Sequence, residues 1–272
     1  MDGAAARRWR QRPSTRWRRT RNSALSGTIP ARTLLYGVGL GPGAADLMSV
    51  RARNVILSAD RLVHFCKRGR RGNARTTADA VIAPDPAREI VLTYPVTVEA
   101  EVGDPAYDGP IAAFYEEVAE QLASEMEAGR VLAVLCDGDP FFYGSFMHLW
   151  RRLSPRFPTE IVPGIPAMAG GWAAAGAPIT WGDDVMTVLP GTLPEAELTR
   201  RLADTDAAVI MKLGRHLPKV RRALTAAGLA ARAIYVERAT MAQQAVCRLS
   251  EKADDEAPYF ALVLVPGEGR RL

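Results

Sequence analysis

Residues 131–140 constrain the fold more than any other part of the chain. The unbroken apolar run Val131–Cys136 is typical of a β-strand buried on both faces, as in a parallel sheet covered by helices. The run ends in Asp137-Gly138-Asp139-Pro140, where proline cannot continue the hydrogen-bond ladder. Ligands of open α/β sheets bind at the carboxyl ends of the strands. The pattern therefore predicts an α/β fold with a ligand site at this turn, although a plain acidic turn has the same sequence signature.

The composition is that of a globular protein. With 272 residues, of which 48% are hydrophobic, the chain is long enough for two α/β domains. No stretch approaches the roughly 18 consecutive apolar residues of a membrane span, and the N-terminus lacks the apolar segment of a signal peptide. Three scattered cysteines, Cys66, Cys136 and Cys247, have neither disulfide nor metal-ligand spacing. We therefore expect a cytoplasmic protein without a membrane segment or a bound metal.

The positive charge is concentrated at the N-terminus. The chain carries a net charge of +5, but residues 1–32 hold nine arginines and one acid, so the rest of the chain sums to −3. This extension has no periodic apolar face and few core-forming residues, which indicates disorder. An upstream translation artefact, an arm that contacts anionic partners and an organellar transit peptide are the alternatives. Because the body is mildly acidic, we expect no nucleic-acid partner.

A glycine-rich loop, residues 39–43, directly follows the first predicted strand. Every second residue in it is glycine, which permits positive φ and close approach of the backbone to a ligand. Residues 39–44 also match a loose G-x-G-x-x-A pattern, so an NAD-dependent oxidoreductase is an alternative. Against this alternative, Asp60 precedes the second predicted strand, whereas a ribose-binding acid ends that strand. Ser49 is also a better helix N-cap than any residue of the loop.

The remaining pattern predicts two α/β domains of similar size, residues 33–180 and 181–272, after the extension 1–32. The clearest helix covers residues 111–126, ends at Gly129 and follows turn signals at 103–105 and 108–110. Near the C-terminus, strands without helices between them predict a mixed or antiparallel sheet edge. The other predicted strands are residues 33–38, 62–66, 89–94, 159–162, 185–189, 207–212, 233–236, 245–249 and 259–265, and the other helices are 49–59, 168–175, 194–203 and 218–227.

Five short blocks lie in order along residues 33–267. Together they resemble the tetrapyrrole methylase family, the class III S-adenosylmethionine methyltransferases, and five blocks in order are far more specific than any one. Within the family, residues 183–194, 211–215 and 219–222 look most like the members that methylate carbon 20 of precorrin-2 in cobalamin biosynthesis. Residues 1–32 match nothing in the family. The blocks are Val38-Gly39-Leu40-Gly41-Pro42-Gly43, Asp137-Gly138-Asp139-Pro140 with Phe142-Tyr143-Gly144, Val162-Pro163-Gly164-Ile165-Pro166-Ala167, Met211-Lys212-Leu213-Gly214 and Val236-Glu237-Arg238-Ala239-Thr240.

The resemblance implies two α/β domains with S-adenosylmethionine folded into the cleft between them. Backbone groups do much of the binding in such a site, and among the side chains we expect Asp139 to matter most. Methyl transfer from a sulfonium needs alignment and exclusion of water, and no metal or covalent nucleophile. The cofactor-binding residues that the resemblance implies are Gly39, Leu40, Pro42, Asp137, Gly138, Asp139, Phe142, Pro166, Ala167, Leu213 and Ala239.

The resemblance also implies a polycarboxylate tetrapyrrole substrate, which basic side chains at the cleft would orient through charge-assisted hydrogen bonds. Each of these side chains also fits an ordinary surface charge. A proton leaves the methylated carbon, and Tyr143, Glu237, His216 or solvent could accept it. The basic candidates are Lys67, Arg68, Arg70, Lys212, Arg215 and Arg238.

Cys66 departs from the family pattern. The uroporphyrinogen-methylating members have an acid at the resembling position, the end of the second strand, and a cysteine cannot replace a carboxylate base there. We expect Cys66 to be a partly buried small residue. His64, on a strand, and His148, on a helix, are expected to be structural.

Two expectations rest on the family alone. The nearest alternative substrate is cobalt-factor II, the cobalt-loaded tetrapyrrole, which this reasoning does not separate from precorrin-2. A homodimer is expected because members of the family are usually dimeric.

Overall fold

A computed structural model describes residues 32–95 and 105–269 of the chain. The predicted extension lies outside the described residues except for Arg32, and so does the turn predicted at 103–105 as far as residue 104. Within the described ranges, no helix is both long enough and apolar enough to cross a membrane.

The first sheet has five parallel strands in the order β3-β2-β4-β1-β5. Because all five run the same way, their carboxyl ends lie at one edge, where ligands of such sheets bind. The strands are β1 (Leu34–Gly39), β2 (Arg61–Cys66), β3 (Glu89–Thr93), β4 (Val131–Cys136) and β5 (Thr159–Val162).

Helices cover both faces of the first sheet, which explains the unbroken apolar sequence of β4. Leu132 and Val134 pack into the core under the third and fourth helices, and Ala133 and Leu135 pack into the core under the first two. The prediction of a strand buried on both faces is confirmed. These helices are α1 (Val50–Ser58), α2 (Asn73–Ala78), α3 (Pro105–Glu127) and α4 (Phe146–Leu153).

Helix α3 differs from its prediction at the N-terminal end. It begins at Pro105 and runs through residues 108–110, so the turn predicted there is wrong. Pro110 lies close to the start of the helix, where it removes one hydrogen bond. Burial of the apolar face that Val118, Leu122 and Met126 form outweighs this loss. The polar helix α2 has six residues and no apolar periodicity, and it was not predicted.

The second sheet also has five strands, in the order β6-β7-β10-β8-β9. Strands β6 and β7 are parallel and the other neighbours are antiparallel, so the predicted mixed sheet is confirmed. The strands are β6 (Met186–Pro190), β7 (Ala207–Met211), β8 (Ile234–Glu237), β9 (Ala245–Arg248) and β10 (Ala261–Val265).

Helix α5 (Ala167–Ala175) links the two sheets. It follows β5 of the first sheet, yet Met168 and Trp172 pack against Val236 and Leu262 of the second sheet. Helices α6 (Glu195–Leu202) and α7 (Leu217–Ala226) pack against the core on the opposite face. The α/β class with two sheets is therefore confirmed, while the domain boundary near residue 180 stays a prediction.

Candidate active site

The loops that follow β1, β4 and β5 meet at the carboxyl edge of the first sheet, and we call them the first-sheet wall. A Cβ on Gly39 would lie 2.5 Å from the Gly164 nitrogen, and a Cβ on Gly164 would overlap the Gly138 carbonyl oxygen. Gly138 N also donates to Gly41 O at 2.9 Å. The glycines at 39 and 164 thus allow the loops to contact each other, whereas the glycines of residues 39–43 were expected to allow close approach of a ligand.

Asp139 joins two of these loops through its carboxylate. Oδ1 accepts a hydrogen bond from Phe141 N at 2.9 Å, and Oδ2 accepts one from Gly164 N at 3.0 Å. Charge-assisted hydrogen bonds to backbone N–H groups are stronger than neutral ones. Because both oxygens are already engaged by the protein, we interpret Asp139 as the side chain that holds the wall together.

Asp137 differs from Asp139 in having no such bonds. Its side chain is exposed, and no donor among the described residues hydrogen-bonds to its carboxylate. Although the residue as a whole is exposed, the surrounding protein desolvates its carboxylate, and this raises the pKa of Asp137 to about 6. Burial also raises the pKa of the thiol of Cys136, the preceding residue, and the negative charge of Asp137 adds to this shift. Asp137 is therefore the carboxylate of this turn that is open to a cationic ligand.

Loops from the second sheet lie opposite, after β7 and after β8, and we call them the second-sheet wall. Ala44 N donates to Thr240 Oγ1 at 3.1 Å, so the loop after β1 touches the loop after β8. A Cβ on Gly43 would lie 2.6 Å from the side chain of Met241. These contacts bring the motif loops of the two sheets together, and we call the region between the two walls the cleft.

Three predicted cofactor contacts have side chains that point into packed regions. Leu40 and Leu213 are fully buried in the cores of the first and second sheets. Pro42 is buried against Gly170 of α5, where an added Cβ would lie 2.6 Å from the proline. These residues can offer only backbone atoms to a ligand, which agrees with the backbone-rich site that the family resemblance implies.

The second-sheet wall carries charged side chains on strained backbone. Lys212 Nζ lies 4.9 Å from the ring centroid of Tyr143, which belongs to the first-sheet wall. Arg238 pairs with Glu237, which also accepts a hydrogen bond from the Tyr235 hydroxyl at 3.0 Å. Among the described residues, the non-glycine positions with positive φ are Tyr143 (55°), Lys212 (56°), Arg238 (46°) and Thr240 (66°).

All four strained residues lie on the two walls, and strain of this kind concentrates at functional sites. Sequence reasoning named three of them for their side chains, but it had no signal for their backbone conformation. Thr240 was quoted only as part of a family block. A position where glycine would be less strained than the residue present can be recognised only once φ is known.

The other predicted site residues are divided between the two walls and their surroundings. Lys67, Arg68 and Arg70 are exposed on the loop after β2, at the carboxyl edge of the first sheet. Arg215 and His216 lie in the short helical turn after β7, and both interact with other parts of the protein. Cys66 Sγ lies 3.3 Å from Thr93 Oγ1, in a partly buried position as expected.

The two histidines with a structural prediction contact neighbouring side chains. His64 is buried and lies 3.3 Å from Glu89, and burial lowers its pKa. His148 stacks on Tyr115 with ring centroids 4.3 Å apart. No cluster of three or more His, Cys, Asp or Glu side chains that could hold a metal ion occurs in the part of the chain that the structure describes.

Asp60 is placed unfavourably for the dinucleotide alternative. It precedes β2, and its Oδ2 accepts a hydrogen bond from Val131 N at the start of β4. This is the amino-terminal edge of the parallel sheet, opposite to the glycine-rich loop. That loop is followed by a short turn, and α1 begins only after Ser49, whose side chain accepts from Ala52 N as predicted for an N-cap. Asp60 therefore does not have the position of a ribose-binding acid.

Known proteins resemble this chain over most of its length. A family model described as Tetrapyrrole (Corrin/Porphyrin) Methylases matches residues 34–253. The chain is 56% identical over 233 residues to a Sinorhizobium sp protein named precorrin-2 C(20)-methyltransferase, which covers 86% of this chain and 95% of that protein. It is 29% identical over 235 residues to cobalt-precorrin-2 C(20)-methyltransferase of Salmonella typhimurium, at 85% and 95% coverage.

A solved structure shares the fold. The crystal structure of uroporphyrin-III C-methyl transferase from Thermus thermophilus complexed with S-adenyl homocysteine superimposes with a TM-score of 0.61. The two chains are 22% identical, and the match covers 87% of this chain and 98% of the other.

Proposed function

Because the chain belongs to the tetrapyrrole (corrin/porphyrin) methylase family, we propose that it transfers a methyl group from S-adenosylmethionine to carbon 20 of precorrin-2, giving precorrin-3A in cobalamin biosynthesis. The observation that carries this proposal is the 56% identity to a precorrin-2 C(20)-methyltransferase across nearly the whole of both chains. The geometry of the two walls supports it, because one wall suits the methyl donor and the other suits an acidic substrate.

The first-sheet wall fits S-adenosylmethionine. The donor carries a cationic ammonium and sulfonium, and the open carboxylate of Asp137 would bind a positive group or a ribose hydroxyl. The carboxylate of S-adenosylmethionine would suit the N-terminal end of α5, where Ala167 follows Pro166 close to Gly138. Phe142 is partly buried beside these loops, and Ala239 approaches from the second-sheet wall. When bound, the donor supplies a methyl group on a positively charged sulfur.

The chain's own contribution is then positioning and exclusion of water. The two walls would align the donor with the substrate carbon, an effect worth about 7 to 11 kcal/mol when the geometry is good. Basic side chains on both sides of the cleft would hold the substrate carboxylates: the exposed Lys67 and Arg68 on the loop after β2, and the exposed Lys212 and Arg215 with the partly buried Arg238 on the second-sheet wall.

The proton that leaves the methylated carbon has three protein candidates besides solvent. Glu237 is held by Tyr235 and Arg238, and His216 interacts with other parts of the protein. The ring of Tyr143 is exposed and lies on the cleft side of the first-sheet wall. Of the three, Tyr143 is therefore the one whose position favours contact with the substrate.

The decisive experiment is an assay of the purified chain with S-adenosylmethionine and each tetrapyrrole. We expect one methyl group to be added to precorrin-2, and cobalt-factor II serves as the second substrate because a cobalt-precorrin-2 enzyme is among the relatives. The proposal would be contradicted if neither precorrin-2 nor cobalt-factor II were methylated. A titration that shows binding of NAD without binding of S-adenosylmethionine would do the same.

The extension provides a separate test. Removal of residues 1–32 is expected to leave methyl transfer intact, because the motif loops all lie within the described residues. Salt-dependent nucleic-acid binding that is lost on this truncation would instead support the arm alternative.

We also propose a cytoplasmic homodimer. The homodimer rests on the family resemblance, and light scattering coupled to size-exclusion chromatography measures it directly. The cytoplasmic location rests on the sparse and unpaired cysteines, and cell fractionation tests it.

A further inference from the structure

A contact across the cleft joins the two walls through side chains. Lys212 follows β7 of the second sheet, and Tyr143 lies in the loop after β4 of the first sheet. The ammonium of Lys212 lies over the face of the tyrosine ring, 4.9 Å from its centroid. A cation at this distance is attracted by the negative face of an aromatic ring. The ring therefore sets the position of the ammonium group within the cleft.

Lys212 has no acidic partner within residues 32–95 and 105–269. No carboxylate of the described residues forms an ion pair with it, whereas Arg238 on the same wall is paired with Glu237. The side chain is exposed to the cleft, and partial desolvation lowers the pKa of Lys212. A lysine in this state keeps an unused capacity to bind an anion, because the ring contacts only one side of the ammonium.

Both Tyr143 and Lys212 have a strained backbone conformation with positive φ. Tyr143 and Lys212 have φ values of 55° and 56°, where glycine or asparagine would be less strained. Lysine and tyrosine at these two positions are best explained by what their side chains do together.

We propose that Lys212, positioned by the ring of Tyr143, forms the subsite that binds one peripheral carboxylate of the tetrapyrrole and thereby orients the ring in the cleft. This inference rests on the proposed function and names a part of its substrate site. The carboxylate would approach the side of the ammonium opposite to the ring. Within this carboxylate subsite, Tyr143 acts through Lys212 and is a positioning residue.

Binding of a stable porphyrin separates this inference from the overall activity. Uroporphyrin, which carries peripheral carboxylates, is titrated into the protein and followed by quenching of its fluorescence. A cationic porphyrin without carboxylates is the matched probe. We expect uroporphyrin to bind and to lose affinity with rising salt, since the contact is between charges.

The lysine variants are chosen for the backbone as well as for the charge. Lys212→Gly removes the ammonium and suits a positive φ, and we expect it to weaken uroporphyrin binding by about tenfold, the loss of one charge-assisted contact. Lys212→Arg keeps the charge and is expected to retain most of the affinity. Arg53→Gln, which removes an exposed charge on α1, is the control and should bind as the unmodified protein does.

The tyrosine variants test the positioning role. Tyr143→Phe keeps the ring face, and we expect it to retain most of the uroporphyrin affinity. Tyr143→Asn tolerates the left-handed backbone but has no ring, so it should lose affinity by several-fold, and the loss should vanish in the Lys212→Gly background.

The kinetic signature is a rise in the KM of the tetrapyrrole for Lys212→Gly while the Kd of S-adenosylmethionine, measured by calorimetry, stays unchanged. Uroporphyrin affinity that is equal in Lys212→Gly and the unmodified protein would overturn the inference, and so would equal losses in Tyr143→Phe and Tyr143→Asn. Neither result would affect the proposed function, which fails only if the unmodified protein transfers no methyl group.

Discussion

The two walls of the cleft differ in the contacts that hold them and in the residues that they present. The first-sheet wall is held by backbone contacts between Gly39, Gly138 and Gly164, with Asp139 as the side chain that ties its loops together. The second-sheet wall carries two charged residues, Lys212 and Arg238, at positions of positive φ, and Tyr143 is the large residue with positive φ on the first-sheet wall. The residues of the first-sheet wall thus mainly allow close packing of loops, and those of the second-sheet wall mainly present side chains to the cleft.

This difference suggests a division of labour. A methyl donor of fixed structure is suited to a rigid wall that offers backbone atoms and one open carboxylate, Asp137. A substrate with several carboxylates is suited to a wall of cationic side chains, whose positions depend on contacts such as that between Lys212 and Tyr143. Changes in the packed loops of the first wall should therefore act on the fold and on the donor, whereas changes at Lys212, or at the Tyr143 ring that faces it, should act on the substrate.

The largest effect is expected from Gly164→Ala. The added methyl group would overlap the carbonyl oxygen of Gly138, and neither backbone can move without breaking the Asp139 contacts. We expect a loss of about 3 kcal/mol in the free energy of unfolding, the upper range for overpacking. Urea denaturation measures it.

Gly109→Ala is the matched control for this variant. Gly109 lies in α3 with no atom within 4 Å of an added Cβ, so the same change should stabilise the helix by up to about 1 kcal/mol. Equal stabilities of the two variants would show that the close contact of the loops does not hold the first-sheet wall.

Asp139→Ala should have the next largest effect. It leaves the N–H groups of Phe141 and Gly164 without their acceptor, which costs about 2 kcal/mol of unfolding free energy. The affinity for S-adenosylmethionine should fall as a consequence of the loosened loops. Asp139→Asn retains one acceptor oxygen and should lose less. An Asp139→Ala variant that keeps full stability but binds the donor weakly would instead make Asp139 a direct ligand.

Asp137→Asn should affect the donor without harming the fold. We expect the affinity for S-adenosylmethionine to fall by about tenfold, the value of one charge-assisted contact. Because the pKa of Asp137 is raised to about 6, donor affinity in the unmodified protein should fall as the pH drops through 6, while the variant shows a flat profile in that range. Calorimetry at pH values from 5 to 8 tests both, and a flat profile in the unmodified protein contradicts the assignment.

Asp137→Asn should not lower the free energy of unfolding, although it weakens donor binding. The pKa of Asp137 is raised in the folded state, so protonation of this carboxyl stabilises the folded state. That stabilisation is lost as the pH rises through 6 and the carboxyl ionises. Asp137→Asn removes this ionisation and should be at least as stable as the unmodified protein at pH 7. The pair Asp137 and Asp139 thus separates binding from folding within one turn.

Several features of the fold followed from local sequence patterns alone. The strand Val131–Cys136, the N-cap Ser49 and the mixed second sheet are each produced by a short-range rule, namely unbroken hydrophobicity, a capping side chain and missing crossover helices. Helix α2 escaped prediction because its stability comes from tertiary contacts. Its Arg75 is buried and pairs with Glu89 of the neighbouring strand β3.

The site itself was predictable only in its location. Asp137 and Asp139 were both predicted as cofactor-binding residues, and Asp139 was expected to matter most, because their nearly identical sequence neighbourhood does not reveal which carboxylate is open. Their difference depends on Gly164, which follows a distant strand and donates to one carboxylate only. Positive φ at Lys212 and its contact with Tyr143 likewise depend on packing between two sheets, which no local pattern encodes.

The smallest effect concerns the contact that joins the two walls, Thr240 to Ala44. Thr240→Ala removes the acceptor of Ala44 N and should cost about 1 kcal/mol, the net value of a typical hydrogen bond. Thr240→Ser keeps the hydroxyl and relieves a β-branched side chain at φ 66°, so it should match or exceed the stability of the unmodified protein. Thermal unfolding of both variants measures the difference. If Ser and Ala are equally destabilising, the methyl group of Thr240, which packs toward Gly170 of α5, holds the walls together instead of the hydroxyl.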